Sequence, residues 1–166
     1  MKTLKRLIPL LLLFAALIAD MQLVTAQKSL STKEVIIQNL IDSQQYVFVA
    51  QYVTPMNGHQ LYLTSEYSVI VSRDSIITDL PYFGRAFSAP MNPLGGGIKF
   101  TSVDFDYRAT PRKKGRWDIN IKPNDTRDAR QLTMSIYDNG SATLQVASAN
   151  RQPISFRGNI IRKKTE

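Results

Sequence analysis

Asp104 and Asp106 are the two residues whose type and spacing come nearest to catalytic chemistry. On a strand, both carboxyls project from one face, roughly 7 Å apart. That spacing suits acid–base cleavage of a glycosidic bond or the holding of a hard cation. Arg108 continues the same face and favours a plainer outcome, a solvated and charge-compensated strand surface. His59 is the only histidine, so the multi-histidine sites that zinc favours cannot be assembled. It follows Asn57-Gly58, a turn signal, and reads as a solvated turn residue. The sequence has no cysteine, which removes thiolate nucleophiles, thiolate metal ligands and disulfides together. No Gly-x-Ser-x-Gly elbow is present. Gly95-Gly96-Gly97-Ile98-Lys99 lacks the Lys-Ser/Thr pair and the helix that a phosphate loop needs. Asp125 and Asp128 lack the ligand spacing of a calcium loop. No catalytic residue, no metal ligand and no cofactor is assigned.

Recognition chemistry is better represented than catalysis. In Leu80-Pro-Tyr-Phe-Gly-Arg-Ala86, Tyr82 and Phe83 offer aromatic surface. Arg85 offers a planar fork for a carboxylate, a phosphate or a sugar. Tyr82, Phe83 and Arg85 are therefore the candidate binding residues. The competing reading is structural: Pro81 sets a turn, Gly84 gives the backbone room, and the two aromatics plug one end of the fold. A second candidate surface is the basic turn Arg112-Lys113-Lys114-Gly115-Arg116. It suits anionic envelope polymers, and of the 21 Lys and Arg residues 15 lie in 85–166. Because these cations fall in turns rather than along one face, solvated turns are the favoured account of them.

The elements that position these residues begin after an expected export signal, residues 1–26. Lys2, Lys5 and Arg6 form its positive start, Leu7 to Ile18 its apolar stretch, and Val24-Thr25-Ala26 its cleavage site. The apolar stretch is shorter than the roughly 20 residues of a membrane-spanning helix. No cysteine is available for a lipid anchor, so a lipoprotein is not expected. Residues 27–166 have the length of one domain.

Within 27–166, Ser31-Thr32-Lys33-Glu34 is a capping box that opens a short amphipathic helix. Ile36, Ile37, Leu40 and Ile41 form its expected apolar face. From Gln45 onwards the period changes to two. Tyr46 to Val53 is apolar on both faces at its start, which predicts a central or helix-covered strand. Strands are expected over 61–72, 75–79, 98–108, 117–122, 132–137, 142–146 and 154–160. Asp138-Asn139-Gly140 is the strongest hairpin signal. Pro90, Pro93 and Gly95 to Gly97 make 87–97 an irregular loop. Eight or nine strands joined by short turns predict a mainly β fold, a single antiparallel meander that hides its edges. A barrel or flattened barrel is expected, with a two-sheet sandwich as the alternative. Trp117 is expected in the core, with Arg157 or Arg162 available to cover its indole.

Four runs, LPYFGRA (80–86), GGIKF (96–100), KKGRWDINI (113–121) and NRQPISFRGNI (150–160), together resemble the domain of unknown function 4251 family. That resemblance implies an exported β-rich protein of Bacteroidota and carries no activity or catalytic residues with it. The expected function is an exported, non-catalytic binding or interaction domain of the cell envelope, periplasmic or extracellular. Its partner would be an unidentified ligand or envelope component. Nucleic acid is not expected as a partner, nor is a transmembrane span in the mature chain, and the protein is expected to be a monomer. The alternatives are an envelope glycan- or lipid-acting enzyme using Asp104 and Asp106, and a basic surface binder using Arg112, Lys113, Lys114 and Arg116.

Overall fold

The computed structural model describes residues 32–87 and 96–163. The expected export signal, the capping residue Ser31 and residues 88–95 of the long loop lie outside the described residues. Helix α1 (Thr32–Ser43) precedes nine strands: β1 (Tyr46–Pro55), β2 (Leu61–Val71), β3 (Ile76–Leu80), β4 (Ile98–Ser102), β5 (Phe105–Arg112), β6 (Arg116–Pro123), β7 (Gln131–Tyr137), β8 (Ser141–Ala147) and β9 (Ile154–Arg162). All strand pairs are antiparallel.

The strands form one sheet in the order β4-β3-β2-β1-β9-β8-β7-β6-β5. The sheet is nearly closed into a barrel, as the alternation and short turns predict. First and last strands meet at its centre, where Tyr46 pairs with Arg162 and Pro55 with Ile154. The seam therefore falls between β4 and β5, which follow one another in sequence but sit at opposite edges of the sheet.

That seam corrects one sequence expectation. Residues 98–108 read as a single alternating strand, but the chain breaks at Val103-Asp104. Val103 is 70% exposed rather than directed inward. The break is held by Asp125 from the β6–β7 loop. Its carboxylate accepts hydrogen bonds from the Ser102 hydroxyl (2.5 Å) and from the backbone N–H groups of Val103 (2.8 Å) and Asp104 (3.2 Å). Those bonds, Ser102 first, hold the Asp125 carboxyl below the usual carboxylate range. Alternating polarity cannot report such a break, because a side chain in another loop supplies the turn's hydrogen-bond acceptors.

Inward-facing side chains of all nine strands and of α1 fill one interior. Tyr46, Phe48 and Phe156 are its largest fully buried residues, joined by Ile119, Ile121, Leu132, Met134 and Ile136. Each such side chain stabilises the fold by about 1.5–3 kcal/mol. Helix α1 contributes Ile37, Leu40 and Ile41. Ile36, expected on the same face, is 43% exposed, because the helix reaches the core through a stripe narrower than its apolar sequence. Arg73 in the β2–β3 turn donates to the carbonyl of Ser43 (3.1 Å) and ties the helix C-terminus to that end of the barrel.

The central pair β1·β9 carries a bulge. Ala50 pairs with Gly158 and Tyr52 with Arg157, leaving Gln51 as the extra residue. The backbones come so close here that a Cβ on Gly158 would sit on the carbonyl oxygen of Val49. On β2 the same irregularity moves the partner from Tyr67 to Tyr62 between Ala50 and Tyr52. The distortion bends the sheet between β2, β1 and β9.

Candidate functional site

At the barrel end opposite α1, the LPYFGRA stretch follows β3 and folds onto the β8–β9 turn. Ala86 forms a bridge with Arg151. Backbone N–H groups of Phe87 and Gln152 donate to the carbonyls of Asn150 (2.8 Å) and Arg85 (3.1 Å). The Tyr82 hydroxyl lies 2.8 Å from the Arg85 carbonyl and 3.1 Å from the Gln152 carbonyl, sharing its one hydrogen between them. Burial pushes the Tyr82 phenol up, against the lowering pulls of the Gln152 bond and the Arg151 charge. The ring returns over its own turn: a Cβ on Gly84 would meet the Tyr82 hydroxyl oxygen at 2.5 Å and Cζ at 2.7 Å. A side chain at position 84 would therefore displace the tip of the Tyr82 ring.

Arg151 is the centre of this clamp. It is only 8% exposed. Its guanidinium lies 5.2 Å from the Tyr82 ring centroid, donates to the Gly97 carbonyl (2.7 Å) and stands 3.8 Å from Asp128. These contacts join the β3–β4 loop at both its described ends to the β8–β9 and β6–β7 loops. Cation–π contact, for which the sequence offers Arg157 or Arg162 over Trp117 as the less favoured alternative to a plain core tryptophan, is found among the described residues at Tyr82 from Arg151. Trp117 packs against the core without such a cover. Of the three candidate binding residues, Tyr82 is half-buried and engaged in this clamp, while Phe83 and Arg85 are exposed.

Asp104 and Asp106 do not share a strand face. Asp104 lies in the β4–β5 break and accepts from the Asn124 side chain (3.2 Å), and Asp106 lies on edge strand β5. Both are exposed. No cluster of three metal-ligating groups occurs among the described residues. The basic turn is partly neutralised. Arg112 donates to Asp118 (2.8 Å) and Arg116 lies 3.3 Å from the same carboxylate. Burial pushes Asp118 up, but hydrogen bonds from Arg112 and Ser135 and the two guanidinium charges outweigh it and hold the carboxyl low. Arg112, Lys113 and Lys114 are all exposed, and of the turn's cations only the two lysines make no ion pair among the described residues.

A concavity lies elsewhere, on the outer face of the bent centre of the sheet, with a volume of about 970 Å³. Register explains it. Val47 pairs with Ile70 on one side and Ile161 on the other, and Ile70 pairs with Ile77. Directly opposed residues share a face, so β3, β2, β1 and β9 present four branched aliphatics in one outward row. Ile77 and Ile161, at the ends, are 40% and 49% exposed. Val49 lies beside Val47 in the next row. Arg162 and Lys163 also line the groove, although Arg162 pairs with the inward Tyr46. Lys163 donates one hydrogen to Ser72 (2.9 Å), leaving its other ammonium hydrogens for a ligand. Away from the row, Asn159 donates to Gln51 (3.3 Å) and Glu66 closes the polar margin.

This groove was half-legible. A first strand apolar on both faces, with Val47 and Val49 on the second, was the signal. Helix cover was one explanation for it, but α1 joins the interior cluster and leaves that second face outward. Pairing with Ile70 and Ile161 could not be read before the register was known. Arg151 was also missed, since a buried guanidinium in a turn has no local periodicity.

Comparison with known proteins agrees with this architecture. The family described as Domain of unknown function (DUF4251) has a sequence model that matches residues 28–160. A crystal structure of a DUF4251 family protein from Bacteroides eggerthii DSM 20697 superposes with a TM-score of 0.61 at 18% identity, covering 78% of this chain and 87% of that one. No curated protein matches the chain.

Proposed function

The chain belongs to the DUF4251 family, and from that premise we propose that it is an exported, non-catalytic binding module of the bacterial cell envelope. The outer-face groove of β1, β2 and β9 is its binding site. One observation carries this: Val47, Ile70 and Ile161, which line the groove, stand in a row on a solvent-facing sheet surface that ordinarily alternates to polar residues. The groove's volume, about 970 Å³, falls in the range of small-molecule sites, roughly 300–1,000 Å³. Export is supported by the charge, apolar stretch and cleavage pattern of residues 1–26, which makes the periplasm or the cell exterior the place of action.

The anionic apolar dye 1-anilinonaphthalene-8-sulfonate tests the reading. Residues 27–166 should raise its emission under native conditions. Ile161→Ser with Val47→Thr should remove most of the rise while the Trp117 emission of the folded chain is retained. No rise with the wild-type chain would overturn the proposal.

A second reading keeps the LPYFGRA surface as the contact site. It is favoured by Phe83 and Phe87, 51% and 71% exposed, flanking the exposed Arg85. Phe83→Ser with Arg85→Gln should leave dye emission unchanged if the groove is the site, and lower it if this surface is.

A further inference from the structure

We infer that the outer face of β1, β9 and β8 on the far side of the bulge binds an uncharged, β-linked glycan chain, with Tyr62 and Tyr52 stacked against its pyranose rings and Arg157, Gln51 and Asn159 hydrogen-bonded to its hydroxyls. The site adjoins the aliphatic groove and does not depend on it.

The bulge builds the site. Tyr46, Phe48 and Ala50 point into the barrel, and an unbroken two-residue period would send Tyr52 after them. With Gln51 as the extra residue, Tyr52 turns outward instead, opposite Tyr62 on β2 and Arg157 on β9. Re-aiming a side chain is a recurrent use of bulges beside functional sites. The two tyrosine rings meet edge to face, with centroids 5.3 Å apart and planes at 68°. Tyr62 is 67% exposed, which leaves ring surface open to a ligand. Arg157 is exposed and makes no ion pair among the described residues. Asn159 donates to Gln51 (3.3 Å), which leaves the Gln51 amide hydrogens and the second Asn159 hydrogen as donors.

The surroundings select the ligand. In a chain that is 20% charged, Arg157 is the one charged residue among the described outward positions of β7, β8, β9 and β1, where a designed surface would carry roughly 25–35% charged residues. Hydroxyls and amides such as Thr143 and Gln145 stand there instead. A matching ligand is uncharged, rich in hydrogen-bonding groups, and apolar on a flat face. An all-equatorial, β-linked chain of pyranoses is all three, with hydroxyls at the ring edges and C–H groups on the faces. A cross-strand tyrosine pair alone would be ordinary packing; the re-aimed ring and the uncharged field set this pair apart. A second copy of the chain fits less well, because serine is depleted at protein interfaces and their cores are apolar. A lipid surface fits less well too, because one arginine supplies too little positive charge to hold an anionic bilayer.

The test is titration of residues 27–166 with cellotetraose and with tetra-N-acetylchitotetraose, two all-equatorial chains that differ in their acetamido groups, and with maltotetraose, whose α-linkages curve the chain. An equatorial chain should bind, and maltotetraose should be weaker by about tenfold, the loss of one stacked ring face. Preference for the acetamido chain assigns an amino-sugar polymer, and preference for cellotetraose a plain glucan. Tyr62→Ser should weaken binding roughly five- to tenfold, as expected when on the order of 50 Å² of apolar surface is no longer removed from water. Tyr62→Phe should keep the affinity, because the ring remains. Arg157→Gln should weaken it by roughly fivefold. Tyr62 and Arg157 do not line the groove, so Tyr62→Ser and Arg157→Gln should leave both the dye response and Trp117 emission unchanged. Binding of neither equatorial chain would overturn the inference, as would equal affinity for maltotetraose or unchanged affinity in Tyr62→Ser. A dimer at sedimentation equilibrium that Tyr62→Ser dissociates would replace the inference with self-association through this face. Glycan binding without a dye response would overturn the groove reading and support this one.

Discussion

Replacing Gly84 with alanine places a methyl group 2.5 Å from the Tyr82 hydroxyl oxygen and 2.7 Å from Cζ. Neither distance is tolerable, so the ring must leave its position. It then gives up the hydrogen bond to the Arg85 and Gln152 carbonyls, about 1 kcal/mol. It also gives up the face-on contact with the Arg151 guanidinium, about 1 kcal/mol for a pair that is partly desolvated. Overpacking strain adds to these, so Gly84→Ala should cost roughly 2–3 kcal/mol. For a chain of this length that corresponds to a fall in Tm of roughly 5–10 °C. The same argument requires strong coupling. Tyr82→Leu removes the hydroxyl and Cζ and already forfeits both contacts. In that background the three nearest atoms to the added methyl are gone, and the effect of Gly84→Ala should be within about 0.5 kcal/mol of zero, or slightly stabilising through the unfolded chain. Urea unfolding of the four variants, followed by the emission of the sole tryptophan, Trp117, measures the cycle. A coupling of about 2 kcal/mol is expected. Additive costs would refute the claim that Gly84 exists to receive the Tyr82 ring.

Two further predictions concern the barrel's centre and its seam. Gly158→Ala should cost about 3 kcal/mol or more by the same unfolding assay, because its Cβ meets the Val49 backbone rather than a movable side chain; a loss below 1 kcal/mol would show that the β1·β9 bulge can open freely. Asp125 has a depressed carboxyl in the folded chain, so the unfolded state binds its proton first as pH falls. Its stabilisation is present above the ordinary value of 3.8 and is lost as pH drops through the lower folded value. The urea midpoint of Asp125→Asn should therefore fall less steeply than that of the wild type below about pH 4, and parallel profiles would argue against the seam staple.

Local patterning reported most of the elements. Alternation at Trp117, Ile119 and Ile121, and again at Leu132, Met134 and Ile136, gave strands whose inward residues are buried as the period requires, with Trp117 only partly so. Asp138-Asn139-Gly140 forms the β7–β8 hairpin, with Gly140 donating to the Tyr137 carbonyl (2.8 Å) and Asn139 accepting from Ser141 (2.9 Å). Alternation failed where a distant group intervened. Residues 98–108 kept their period through a break that only Asp125 explains. Ile36 kept helical spacing yet stayed outside the core.

The candidate sites divide in the same way. Tyr82, Phe83 and Arg85 stood out in sequence because aromatic, glycine and arginine residues are chemically conspicuous. Yet the partner that turns Tyr82 into a clamp, Arg151, lies 69 positions away. Val47, Ile70, Ile77 and Ile161 are inconspicuous singly, and only strand register lines them up.

By itself, the sequence determined that the chain is mainly β with one leading helix, that thiol chemistry is absent, and which residues turn inward along strands such as β6, β7 and β8. These follow from local propensity and from the two-residue period, properties of neighbours in the chain. Tertiary structure alone decided that the first and last strands pair at the centre of the sheet and that the seam falls at 103–104. It also decided that LPYFGRA is held by a buried arginine, and that one outer face carries an aliphatic row. These depend on which strands lie side by side and in what register, and pairing energy is spread over contacts between residues far apart in sequence.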